Sequence, residues 1–371
     1  MRILILTNND VGLYRFRKEF LQKLLDEKHT VLIALPEGGM AVRLMRMGCF
    51  FVKTEIDRRG TNPVKDLALL KNYIHLIRTT DPDMVLTYTI KPNIYGGIAC
   101  RILRKKYMAN ITGLGSALER GGVISAISVF LYRLALKEAS CLFFQNSANR
   151  KKMHDLHIGG KREIQIPGSG VNTEEHLFET YPDKTVPVEF LFMGRIMKEK
   201  GIEELVAAAE RVKKKRPDVR FKIAGECEEN YQSLLENAQK NGILTYLGFQ
   251  DDAHALIKEC SALVLPSYHE GMANVLLEAS SSGRPVLASR IPGCMEIFEE
   301  GVTGLGFEAG SVESLTEAFF AFIGLSYEEK KEMGIRARRK MEKEFDRTIV
   351  IQAYLKEIRR IREEKNDEPI S

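Results

Sequence analysis

The sequence predicts two doubly wound α/β domains in tandem, each a parallel sheet with helices on both faces. Three observations predict it. The chain has 371 residues, too many for one ordinary core and enough for two domains of roughly 150–200 residues each. Short, nearly all-apolar runs alternate with amphipathic stretches along most of its length, the pattern of strands buried on both faces and joined by helical crossovers. The alternation breaks at Pro167-Gly168-Ser169-Gly170 and Tyr181-Pro182-Asp183 and then restarts.

In the first half, Arg2–Thr7, Thr30–Leu35, Phe50–Lys53, Met84–Tyr88, Met108–Thr112, Cys141–Gln145 and Ile164–Ile166 read as strands. Helices are expected over Tyr14–Asp26, Met40–Met47 and Pro63–Thr79, where apolar residues recur on one face, as at Leu67, Leu70, Ile74 and Ile77. In the second half the strands are Val188–Met193, Phe221–Ala224, Thr245–Leu247, Ala262–Leu265, Val286–Ala288 and Gly304–Phe307. Helices are expected at Ile202–Lys215, Asn230–Asn241, Ala253–Cys260 and Asn274–Ser282, followed by a charge-laced helical stretch over Leu315–Lys365. These elements set domains at 1–172 and 184–345, with a helical tail over 346–371 packing back toward the first domain. Ligands of such sheets bind beyond the carboxyl ends of the strands, where strand order reverses. Two domains with those edges facing make an interdomain cleft.

Composition narrows the function. The chain is 44% hydrophobic and 28% charged, as in ordinary globular proteins. Its six cysteines, Cys49, Cys100, Cys141, Cys227, Cys260 and Cys294, include no C-x-x-C, which suits a reducing cytosol better than a disulfide frame or a zinc site. The apolar run at the amino terminus is too short for a signal peptide, and no stretch reaches the roughly 20 apolar residues of a membrane span. Charge is uneven: 55 Lys+Arg face 50 Asp+Glu overall, but 27 face 17 up to residue 180. A basic first half suits an anionic partner such as a lipid diphosphate or an anionic membrane face. No nucleic-acid partner is expected.

The chemistry-bearing residues of the second half sit just after strands. Gly194-Arg195 and Lys198-Glu199-Lys200-Gly201 lie between a strand and a helix. There Arg195 and Lys200 can converge on phosphate oxygens, assisted by the helix amino terminus. After Ala262–Leu265 comes Pro266-Ser267-Tyr268-His269-Glu270-Gly271-Met272-Ala273-Asn274, leading into a helix that carries Glu278. Carboxylates accept hydrogen bonds from sugar hydroxyls, and two of them across a loop-to-helix junction can grip the sugars at opposite ends of one diphosphate. The N–H groups of Gly271 to Val275 are expected to face the bridging phosphates. Glu278 lies in an apolar helix and needs a partner if buried. Taken singly, each of these residues has a plainer reading as a solvated basic turn or an exposed helix acid.

Together, GRIMKEKG (194–201), the glycine at Gly225, YLGFQDD (246–252), LVLPSYHEGMANVLLEASSSGRPVLAS (263–289) and Gly301–Gly306 resemble the second domain of retaining GT-B glycosyltransferases of family 4. EGMANVLLE (270–278) matches that family's E-x7-E motif. The resemblance implies the GT-B fold, two Rossmann-like domains. It also implies that Arg195 and Lys200 bind the donor diphosphate, that Glu270 contacts the transferred sugar and that Glu278 binds the ribose hydroxyls. The implied donor site comprises Gly12, Gly194, Arg195, Lys200, Gly225, Phe249, Glu270, Gly271, Met272, Ala273, Asn274, Val275 and Glu278. The implied donor is a UDP-sugar, which is a substrate; no separate cofactor and no metal is expected. TYTIKPNIYGG and NITGLGSA are similar to segments of bacterial family 4 enzymes that extend lipid-linked capsular or O-antigen sugars. That likeness suggests a polyprenyl-diphosphate-linked saccharide acceptor, with Lys91, Asn93, Gly113, Gly115 and Ser116 at its site.

The first domain departs from the family in one respect. Some members place a histidine near the reaction centre, whereas NITGLGSA has none, and His75, His154, His157 and His176 read as helix or surface residues. Catalysis then rests on the charge of Arg195, Lys200 and Glu270. Gly121–Leu136 is the most hydrophobic stretch; with Arg101, Arg104, Lys105 and Lys106 it suits either a membrane-surface patch or a buried helix. Asp81-Pro82-Asp83 precedes a strand, so it lies at the wrong end of the sheet for a ligand. No P-loop and no full G-x-G-x-x-G is present. A UDP-sugar epimerase and a non-catalytic sugar-binding protein remain as rival readings.

Overall fold

The computed structural model describes residues 1–57, 60, 62–114 and 122–367, grouped in two units. Gly115 and Ser116, expected at the acceptor site, lie outside the described residues.

The first unit comprises Met1–Ser169 and the chain from Ile349. Its strands β1 (Arg2–Leu6), β2 (Thr30–Leu35), β3 (Phe50–Lys53), β4 (Met84–Tyr88), β5 (Tyr107–Ile111), β6 (Cys141–Phe144) and β7 (Glu163–Gln165) form one parallel sheet in the order β3-β2-β1-β4-β5-β6-β7. Alternate residues face opposite layers, because side chains of a strand point up and down in turn. Ile3, Ile5 and Leu86 pack with Phe20 and Leu24 of helix α1 (Asp10–Asp26) and with Tyr354 and Leu355 of the carboxyl-terminal helix over Arg347–Asp367. Leu4, Leu6 and Val85 face the other layer. There they meet Tyr73 and Ile77, after α2 (Ala41–Arg46), of α3 (Pro63–Thr80).

Two elements differ from expectation. The first helix starts at Asp10 rather than Tyr14, because the Asn9 side chain accepts the N–H groups of Val11 and Gly12 at 3.0 and 3.3 Å. That is an N-cap, and it puts Gly12 in the first turn of a helix instead of in a loop. A π-helical turn over Pro92–Gly96 runs into α4 (Gly97–Ile102), where no helix is expected from the sequence pattern. Gly96-Gly97 lowers helix propensity, but a Cβ on Gly97 would lie 2.8 Å from the Ala135 carbonyl. The glycine serves close packing against α5 (Gly122–Leu136). After β6 comes α6 (Ser147–Asp155).

The second unit spans Gly170–Thr348. Its parallel sheet runs β10 (Thr245–Tyr246), β9 (Arg220–Ala224), β8 (Glu189–Met193), β11 (Ala262–Leu265), β12 (Val286–Ser289) and β13 (Gly304–Phe307). The crossovers are α7 (Ile202–Lys215), α8 (Gln232–Lys240), α9 (Ala253–Glu259) and α10 (Asn274–Ser281). Phe190 stacks on Phe221 at 5.4 Å and tilts on Phe319 of α11 (Val312–Gly324) at 4.6 Å. The expected long helical stretch is interrupted: α12 (Tyr327–Lys340) opens with a Ser326–Glu329 capping box, and a π-turn over Met341–Phe345 separates it from α13 (Arg347–Asp367). The segment expected as a linker is held on this unit. Arg284 donates to the Glu179 and Thr180 carbonyls, Arg338 to those of Thr173 and His176, and the Tyr181 hydroxyl to that of Ser261.

Candidate functional site

In the second sheet, strand order reverses between β8 and β11, so the loops after these two strands flank the place where such sheets bind ligands. The loop after β8 carries Gly194, Arg195 and, in a 3-10 turn, Lys200; the loop after β11 carries Glu270. Close backbone contacts fix the two together. Gly201 has φ +68°, and a Cβ there would lie 2.2 Å from the Pro266 carbonyl. The Tyr268 N–H donates to the Glu199 carbonyl at 2.9 Å, and the Tyr268 hydroxyl to Glu204 at 2.6 Å. The consequence is a short ion pair in which Lys200 Nζ donates to Glu270 Oε1, with side chains 16% and 14% exposed. Sequence reasoning gave these residues separate duties, on phosphate and on sugar; the structure brings them into direct contact.

Arg195 stands on the same loop, 49% exposed, and donates to Glu228 at 3.1 Å. Glu228 belongs to an acidic loop, Glu226 to Glu229, that follows β9. The Ile196 N–H donates to the Glu226 carbonyl, and the Lys198 N–H to the Glu229 carboxylate, at 2.8 and 2.9 Å. Gly225 starts that loop at φ +153°, and a Cβ on it would sit 1.7 Å from the Gly194 carbonyl. Only glycine allows the β8 and β9 loops to approach this closely. Glu228 was not among the expected site residues; its signal was the acid run placed after a strand, opposite a basic loop. Phe249 lies after β10 and is 59% exposed.

Helix α10 supplies the remaining expected residues. Met272 and Ala273 are buried in the core, 7% and 3% exposed, so only their backbones are presented to a ligand. The expectation that every N–H from Gly271 to Val275 faces a phosphate needs correction, since the Ala273 N–H donates to the Gly293 carbonyl at 3.0 Å. A Cβ on Gly293 would lie 2.5 Å from the Glu270 carbonyl, so this glycine fixes the loop and was missed by sequence reasoning. What stays available is the start of α10 itself. No side chain caps it, and the Asn274 Oδ1 is buried without a partner. An uncapped helix start leaves N–H groups directed outward, suited to an anion. Val275 and Glu278 are half-buried on the same helix. Cys294 is buried beside Lys200 and Glu270, and burial with the Glu270 charge pushes its thiol well up, so it is no nucleophile.

In the first unit strand order reverses between β1 and β4. Gly12 follows β1 and is half-buried, its N–H turned to Asn9. Thr89 follows β4 at φ +73°, a strained conformation for a branched residue, with its hydroxyl buried and unpartnered. Lys91 pairs with Asp66 at 2.6 Å, and Asp66 also accepts the Tyr95 hydroxyl at 2.9 Å. Asn93 does not suit a ligand contact. It is 2% exposed, accepting from the Thr87 hydroxyl at 2.7 Å and donating to the Asn110 carbonyl at 2.8 Å. It ties β4 to β5. Gly113, after β5, has φ +155° and open space where a Cβ would stand. Asp81 pairs with Lys105, and Asp83 accepts the Arg2 N–H at 2.8 Å, both before β4. Among the described residues no three His, Cys, Asp or Glu side chains group to hold a metal ion.

Two paired cations and a bare helix start at a sheet's reversal point have the chemistry to suit a phosphorylated ligand. The comparisons give the family. The model for glycosyl transferases group 1 matches residues 174–340, and that for glycosyl transferase 4-like proteins matches residues 2–146. The chain is 26% identical to the N,N'-diacetylbacillosaminyl-diphospho-undecaprenol alpha-1,3-N-acetylgalactosaminyltransferase of Campylobacter jejuni, over 96% of this chain and 98% of that one. It is 24% identical to the lipopolysaccharide core biosynthesis glycosyltransferase LpsE of Rhizobium meliloti, over 76% of this chain and 77% of that one. Among solved structures it resembles Anabaena HepE in complex with UDP and glucose, with TM-score 0.77, 17% identity and coverage of 96% and 99%. The chain belongs to the group 1, family 4-like glycosyltransferases and has the GT-B fold.

The Arg195–Glu228 pair yields a direct expectation. A carboxylate paired with a cation competes with any phosphate for it, so with Arg195 read as a donor ligand Glu228→Gln is expected to tighten UDP binding. An exposed pair is worth about 0.2–1 kcal/mol, which converts to an increase of at most about fivefold. Calorimetric titration with UDP reads it; weaker binding by the variant would show that Glu228 supports the site instead.

Proposed function

We propose that this glycosyltransferase moves a hexose or N-acetylhexosamine from a UDP-sugar to a lipid-linked saccharide, with retention at the anomeric carbon, in surface polysaccharide biosynthesis. The observation that carries the reading is the Lys200–Glu270 pair beside the uncapped start of α10. A sugar diphosphate fits that arrangement. Its phosphate oxygens replace Glu270 as the partner of Lys200, and Glu270 turns to the sugar hydroxyls. Arg195 meets the same diphosphate, and Glu278 the ribose. In the transfer step the anomeric C–O bond to the diphosphate breaks and a bond to the acceptor oxygen forms on the same face. The acceptor proton passes to the departing phosphate oxygen, so no protein base is needed. Lys200 and Arg195 stabilise the charge that grows on the diphosphate, usually the largest catalytic contribution.

The named relative from Campylobacter jejuni, whose substrate is a diphospho-undecaprenol-linked sugar, supports a lipid-linked acceptor. The UDP in the HepE structure supports a uridine donor. Lys91 and Gly113, after β4 and β5, with Gly115 and Ser116, are the acceptor residues of this reading. No described helix is long and apolar enough to cross a membrane; in this reading the enzyme meets its acceptor as a peripheral protein on the cytoplasmic face.

The test is a panel of UDP-, GDP- and ADP-sugars with a polyprenyl-diphosphate saccharide, the products read by mass spectrometry and their anomeric configuration by NMR. One added sugar with retained configuration is expected, with UDP-sugars preferred. An inverted product would refute the mechanism, and an epimerised sugar formed without acceptor would favour the epimerase reading.

A further inference from the structure

Helix α5 is the most apolar helix of the first unit, yet only Tyr132, Ala135 and Leu136 are buried. Val123, Ile127, Phe130 and Leu134 are 77%, 53%, 64% and 39% exposed. Their spacing of four, three and four residues puts them in one stripe along the helix, and Ile124 beside it is 55% exposed. An uninterrupted apolar stripe of this kind marks a contact surface rather than ordinary solvent exposure.

The stripe ends in charge. Leu134 also lines a cavity of about 600 Å³ at the amino ends of β5 and β6, walled by Ile102, Arg101, Arg104, Lys106 and Lys161. Ile102 is 56% exposed, so the apolar surface continues onto the rim. Arg133 near the end of α5 and Lys137 just after it are also exposed. The acids here are Asp81, paired with Lys105, and Glu138, paired with Lys161; the cations outnumber them. Apolar surface bordered by charge of one sign is complementary to a plane of anionic headgroups over an acyl layer.

We propose that α5 and this basic cavity form a docking surface for an anionic lipid bilayer. The stripe from Val123 to Leu134 enters the headgroup–acyl boundary, and the cavity seats a headgroup phosphate. The proposal rests on the reading that the acceptor is lipid-linked and gives the first unit its place on that membrane.

The test is co-sedimentation of the full chain with vesicles of phosphatidylcholine alone or with roughly 30% phosphatidylglycerol. Binding at least about tenfold stronger to the anionic vesicles is expected, weakened by salt. Ile127→Glu with Phe130→Glu is expected to lose at least about tenfold in vesicle binding, and Arg104→Glu with Lys137→Glu to lose the preference for anionic lipid. All four positions are exposed, so melting temperatures should match the parent. Transfer to a short-chain, water-soluble acceptor should be unchanged in both variants, which separates failure of docking from failure of the proposed reaction. Equal binding to both vesicle types would overturn the proposal, as would undiminished binding by the Ile127/Phe130 variant. So would a parent dimer that this variant dissociates, which would assign the stripe to a second copy of the chain.

Discussion

Lys200→Ala is expected to lower kcat by about a thousandfold while the protein stays folded. Removing one pre-placed donor of developing negative charge costs about 10²–10³ in known cases, and a full positive charge with little solvent around it belongs at the upper end. Lys200 is 16% exposed, so its field on the diphosphate is weakly screened. Arg195 is 49% exposed, and Arg195→Ala should cost less, about tenfold to a hundredfold. The loss for Lys200→Ala should fall on kcat more than on donor KM, because charge accumulates on the diphosphate only as the sugar leaves. The substitution also strands Glu270, 14% exposed, beside the buried Cys294. A melting temperature lowered by a few degrees is expected from that, and Glu270→Gln in the same chain should recover it without recovering activity. Glu270→Ala alone should be comparably inactive. Single-turnover transfer and thermal unfolding check both statements; turnover by Lys200→Ala within threefold of the parent would falsify the catalytic assignment.

Much of this arrangement is legible in the sequence because it follows from strands. Phe50–Lys53, Met84–Tyr88, Ala262–Leu265 and Gly304–Phe307 occur where the pattern predicts them, since a strand within a parallel sheet is a short apolar run between turn residues. Helix α7 also keeps its predicted bounds, with an apolar face and three lysines in its last turn that complement the helix dipole. Once the strands are placed, ligands are expected at the loops after β8 and β11, and Lys200 and Glu270 lie in those loops. Three-dimensional packing hid the rest. The polar run Asn8-Asn9-Asp10 reads as a loop although Asn9 caps a helix. Gly97 reads as a helix breaker although its missing side chain admits a neighbouring backbone. Asn93 is spent tying two strands together, and the Ala273 N–H on Gly293. Apart from the Asn9 cap, which spans only two and three residues, each depends on a contact between residues that no local pattern connects. The exposure of α5 is hidden for the same reason: fifteen mostly apolar residues give no sign of which face the fold leaves uncovered.

Arg284→Ala is expected to be the most destabilising single substitution at a polar residue of the second unit. The side chain is 0% exposed and forms no ion pair among the described residues. Its guanidinium instead donates to backbone carbonyls: Ile257 through Nε, Glu179 and Ser282 through Nη1, Thr180 and Lys258 through Nη2, at 2.6–3.2 Å. Burial lowers its pKa from the ordinary value, but a guanidinium stays charged in any folded protein, so the carbonyls stabilise a full charge. Truncation strands several buried acceptors at once, each worth about 1–3 kcal/mol if left unsatisfied. With water entering the gap, a net loss of about 3–5 kcal/mol is expected, a fall in melting temperature of roughly 10 °C for a unit of this size. Lysine should recover little of it, because one ammonium cannot reach carbonyls arranged around a planar fork. The effect should also reach the donor site. Arg284 immediately follows Gly283, which has φ +73° and ends the turn after α10, and α10 carries Asn274 and Glu278. Loosening that end should raise donor KM more than it lowers kcat, the reverse of Lys200→Ala. Limited proteolysis supplies a second readout, with new cleavage near Glu179–Thr180 in the variant. Unchanged melting together with a protected segment would mean that the carbonyl cluster does not hold this unit together.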